Sequence, residues 1–64
     1  MTTDRERFAE ALAIDKLHGD RARLFVAQRI GAFALAGDAG GVTRFNAIAC
    51  RLDVLIAAGR LANA

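Results

Sequence analysis

The chain has 64 residues, 55% of them hydrophobic, with no Pro or Trp and a net charge of +2 from nine basic and seven acidic side chains. That length holds one small domain, residues 1–64, which buries only about 60% of its unfolded surface. The charge is far from the dense Lys/Arg stripe of a nucleic-acid binder, and the single Cys excludes an intrachain disulfide and a cysteine metal cluster.

Fifteen of the hydrophobic residues are Ala, so the apolar excess is smaller in volume than in number. It is still more than so small a core needs, and a second chain is the natural place for it to go. We therefore expect a homodimer or a complex with a protein partner. Eight of the nine basic residues are Arg, whose planar, weakly hydrated fork suits interfaces better than Lys. A lone Cys50 fits a reducing cytoplasm. The start, Met1 to Arg7, mixes charges and lacks the apolar run of a signal peptide. Leu24 to Ala36 is too short to span a bilayer, which takes about 20 residues, so no membrane partner is expected.

The spacing predicts a first helix over about 4–17. Thr3 followed by Glu6 fits a capping box, and Asp4 and Glu6 suit the positive end of the helix dipole. Phe8, Ala9, Leu12, Ala13 and Leu17 share a broad arc that Ile14 leaves and that Arg5 and Lys16 interrupt. The buried face of this helix is therefore undecided. His18-Gly19-Asp20 reads as a stop and a start: Gly19 can turn left-handed at the C-terminal cap, and Asp20 can cap the second helix. Ala36-Gly37-Asp38 repeats that chemistry.

The second helix, about 21–36, is apolar on nearly every side, which marks a central helix. Its bulky side is Phe25, Val26, Ile30 and Phe33. Its flatter side is Ala27, Gly31 and Ala34, flanked by Leu24 and Leu35. Gly inside a helix costs about 1 kcal/mol relative to Ala, so Gly31 points to a close backbone neighbour, either helix 1 or a second copy. Ala39-Gly40-Gly41 makes a loose start for a third helix over about 40–58. Val42, Phe45, Ile48, Ala49, Leu52, Leu55 and Ile56 recur on one of its faces. Gly59 reads as its C-terminal cap, and 60–64 should fray. No stretch alternates like a strand. The expected fold is an all-α three-helix bundle with helix 2 central, completed by homodimerisation.

His18-Gly19-Asp20, Ile30-Gly31-Ala32, Leu35-Ala36-Gly37-Asp38 and Ile48-Ala49-Cys50-Arg51-Leu52-Asp53 resemble short alphaproteobacterial proteins grouped as a domain of unknown function. The similarity covers about Phe8 to Leu55 and implies an all-helical fold, with no activity, cofactor or catalytic residue attached. The Gly-Asp turn between Ala-rich helices also looks like half of a tetratricopeptide repeat, but one hairpin without the ~34-residue period does not carry that family over.

Three chemistries remain to be weighed. Gly37-Asp38-Ala39-Gly40-Gly41 has the look of a phosphate cradle but lacks a Lys and a preceding strand, and Asp38 would repel an anion. Gly41-Val42-Thr43-Arg44 echoes the turn and recognition-helix start of helix-turn-helix proteins, which makes Thr43, Arg44 and Arg51 the candidate nucleic-acid contacts. Protein binding is the favoured class: a small non-catalytic regulator or inhibitor, docking on a larger protein or self-associating. Its expected interface is Arg23, Ala27, Arg29, Gly31 and Ala34.

Overall fold

A computed structural model of the chain describes the backbone of residues 2–63 and the side chains of residues 4–59. Three α-helices, α1 (Thr2–His18), α2 (Ala22–Leu35) and α3 (Ala39–Asn63), account for nearly all of it, and no strand occurs among the described residues. A single 3-10 turn, Gly19–Arg21, joins α1 to α2 without a non-helical residue. Helical backbone therefore forms two unbroken runs, one ending at Leu35 and one starting at Ala39, where three separate helices were expected. Among the described residues no helix is long and apolar enough to cross a membrane.

The two Gly-Asp turns are built differently. Both glycines take the left-handed conformation, Gly19 at φ +54° and Gly37 at φ +72°, which a side chain would strain. At 36–38 the helix closes with a Schellman pair: Asp38 N–H donates to Phe33 C=O at 2.9 Å and Gly37 N–H to Ala34 C=O at 3.1 Å. Asp38 then caps α3, its Oδ1 accepting from Gly41 N–H at 2.9 Å. The expected Asp20 cap is not made. Arg21 occupies the cap position of α2 with no side-chain hydrogen bond, because the 3-10 turn carries the chain one residue past Asp20 and ties Ala22 N–H to Gly19 C=O.

The central helix is α3, not α2. Both other helices pack mainly on α3 and meet each other little. The buried core is Ala11 of α1, Ala22 and Val26 of α2, and Ile48 and Leu52 of α3. Length explains the reversal, since a 25-residue helix offers about 37 Å of packing surface, enough for both shorter helices at once. The predicted apolar face of α3 holds: Phe45, Ala49, Leu55 and Ile56 surround the buried Ile48 and Leu52. The bulky side of α2 also meets it, with the rings of Phe33 and Phe45 5.4 Å apart. Contacts run in opposite directions along the pair, from Arg23 beside Asp53 to Phe33 beside Phe45, so α2 and α3 form an antiparallel hairpin.

The orientation of α1 departs from its apolar arc. Ala11 is buried and Ile14 half-buried, whereas Phe8, Leu12 and Leu17 stay exposed. A stripe of Asp4, Arg7, Ala11, Ile14 and His18, three or four residues apart, faces the rest of the molecule. Small Ala11 lets α1 cross close to α3, where Asp4 of the stripe pairs with Arg51, while Arg7 pairs with Glu10 of its own helix. His18 stacks on Phe25 at 4.1 Å and 17°, pinning the turn. Two further expectations are corrected at the ends. The first helix starts at Thr2, so Thr3 lies within it, and the Thr3 side chain is outside the described residues. Gly59 does not end α3, which continues to Asn63 through the segment expected to fray.

Candidate functional site

Two surfaces bring the sequence-selected residues together: the junction of α1 with the start of α3, and the outer side of α2. At the junction, an open hollow of about 720 Å³ is floored by Ala39, Gly40, Thr43 and Ala47 and rimmed by Asp4, Arg7, Arg44 and Arg51. The cap at Asp38 fixes where α3 begins, and the seven-residue spacing of Arg44 and Arg51 puts both guanidinium groups on the side facing α1.

Both arginines are engaged within the chain. Arg44 Nε and Nη2 donate to Glu10 Oε2 at 3.1 and 2.7 Å. Glu10 also pairs with Arg7, three residues earlier on its own helix. Arg51 pairs with Asp4 and lies over the Phe8 ring, its guanidinium carbon 5.8 Å from the ring centre. Arg51 Nε is buried with no hydrogen-bond partner among the described residues. Thr43 is exposed at the floor of the hollow. The three candidate nucleic-acid contacts thus share one surface, but two of them are bound to α1 carboxylates. Sequence reasoning missed those carboxylates. The available signal was charge spacing, with Asp4 and Glu10 six apart on one helix and Arg44 and Arg51 seven apart on another.

The five expected interface residues divide. Ala27, Gly31 and Ala34 are exposed, and a Cβ built on Gly31 meets nothing within 4 Å. The close approach inferred at Gly31 is therefore made by neither α1 nor α3. Arg23 and Arg29 are also exposed, but each contacts another side chain of the same chain. Arg23 Nε lies 3.1 Å from Asp53 Oδ1, and the Arg29 guanidinium sits 5.3 Å from the centre of the Phe33 ring. Opposite the buried Val26, Leu24 and Leu35 stand 56% and 93% exposed, with Gln28 and Gly31 exposed between them.

Among the described residues no group of three or more His, Cys, Asp or Glu could hold a metal ion. Cys50 is free and exposed. The glycine that meets a close neighbour is Gly41, and the neighbour is a side chain: an added Cβ would stand 2.5 Å from Phe33 Cγ and Cδ1.

No curated protein and no solved structure matches the chain. One family model does, over residues 3–59, a wider span than the Phe8 to Leu55 of the sequence motifs. With that match covering most of its length, the chain belongs to the Family of unknown function (DUF6961).

Proposed function

We propose that this protein is a small, non-catalytic helical interaction module of the cytoplasm, a three-helix bundle that regulates or inhibits by docking through the outer side of α2. One observation carries the reading: Leu24 and Leu35 are exposed at the two ends of a helix whose opposite side holds the core. A solvated helix face is ordinarily polar, and contiguous exposed apolar surface marks an interaction site.

Nucleic-acid binding draws no such support, because Arg44 and Arg51 spend their charge on Glu10 and Asp4.

The test is recovery of a partner from the native cell, using the wild-type chain and a Leu24→Glu, Leu35→Glu double variant as baits. A partner held by the wild type and lost by the variant is the expected result. Equal recovery by both baits, with the variant folded by circular dichroism, overturns the assignment of the surface.

A further inference from the structure

Resting on that reading of α2, we infer that the occupant of its outer side is a second copy of this chain, packed antiparallel, α2 against α2, about a two-fold axis. Leu24, Gln28, Gly31 and Leu35 are separated by intervals of four, three and four, which keeps them on one narrow stripe of the helix, diametrically opposite Val26. Read from either end, the intervals are the same. A two-fold interface demands such self-complementarity, since the same patch must serve on both subunits.

Antiparallel pairing sets Leu24 against the partner's Leu35 at each end and Gln28 against the partner's Gly31 on either side of the axis. Large meets small at the centre. The missing side chain at Gly31 makes room for Gln28, and a polar residue within a helical seam fixes register. Among the described residues nothing lies within 4 Å of a Cβ built on Gly31, so the helix propensity lost there has its return in the second subunit. Charge agrees with the orientation: exposed Arg21 precedes Leu24 by three residues and exposed Asp38 comes three residues after Leu35. Antiparallel packing brings each Arg21 to the end where the partner's Asp38 stands, whereas parallel packing brings like charges together.

The experiment uses the full chain at about 50 µM, where a dimer of micromolar affinity is populated. Light scattering is expected to give twice the chain mass, and Gly31→Lys is expected to raise the dissociation constant by about tenfold or more. That variant meets open space within one chain and has the better helix former, so its folding is not at risk. Orientation is read in a Cys50→Ala background by oxidising Leu24→Cys and Leu35→Cys chains, singly and mixed. A disulfide formed between the two different variants is expected. Self-linking of Leu24→Cys alone shows parallel packing and overturns the arrangement. A monomeric wild type overturns the second copy as occupant, while the comparison of the two baits still decides separately whether this side of α2 docks on anything.

Discussion

Gly41, three residues into the capped start of α3, lies directly beneath the ring of Phe33 on α2. A Cβ at Gly41 would stand 2.5 Å from two ring carbons and 2.9 Å from a third. The turn between the helices is only three residues long, so the two backbones are still close together when Phe33 must pass. Gly31 is the opposite case, a helical glycine over open space.

The two glycines should therefore respond to alanine with opposite signs. Gly41→Ala forces the Phe33 ring out of place and is expected to cost about 1–3 kcal/mol, as overpacking does. Gly31→Ala gains helix propensity without a clash and is expected to stabilise the chain by about 0.5–1 kcal/mol. Urea denaturation of the two variants at low protein concentration reads both. Equal effects would mean that the Phe33 contact does not constrain the turn.

The paired Asp residues give a second contrast. Asp38 accepts from Gly41 N–H and caps α3, whereas α2 begins with no side-chain cap. Asp38→Ala is expected to lower stability by about 1 kcal/mol. Asp20→Ala should change it by no more than about 0.5 kcal/mol, as at an ordinary surface position. Thermal melts on matched samples decide; an equal loss at Asp20 would show that the first turn is capped after all.

Helix content, the apolar face of α3 and the bulky side of α2 were legible because each arises from periodicity within a single segment. The left-handed Gly19 and Gly37 were legible for the same local reason. What failed depended on partners distant in sequence. The buried stripe of α1 was set by Arg44 and Arg51, some 34 and 47 residues away from the carboxylates they bind, and by small Ala11 at the crossing. The loose Gly40-Gly41 pair looked like turn chemistry, yet Gly41 was answering to an aromatic ring. Helix 2 looked central because it is apolar all round, but its second apolar side remains uncovered within one chain. Of the expected interface residues, all five are exposed, and Arg23 and Arg29 also contact Asp53 and Phe33.

Gly59 tests the length of α3. A glycine that ends a helix in the left-handed conformation loses stability on mutation, whereas one inside a helix gains it. Gly59 lies within α3, with open space around it, and Gly37 sits at φ +72°. Gly59→Ala is expected to raise helicity and stabilise by about 0.5–1 kcal/mol, while Gly37→Ala should cost about 1 kcal/mol or more. Circular dichroism at 222 nm, monitored through denaturation, measures both. A loss at Gly59 would place the end of the helix there.

Glu10 is the shared acceptor of the α1–α3 junction, taking Arg44 from across the interface and Arg7 from its own helix. The Arg44 side chain is 54% exposed, so solvent screens its pair, and Arg44→Ala should cost less than about 1 kcal/mol. Arg7→Ala should do likewise. Glu10→Ala is expected to cost more than either, because it leaves two guanidinium groups near each other with no carboxylate between them. A double-mutant cycle on Glu10 and Arg44 isolates the cross-helix part. Its coupling should fall in 1 M salt, where the screening length shrinks to about 3 Å. A coupling that is absent at low salt, or unchanged at high salt, would mean that packing around Ala11 alone orients α1.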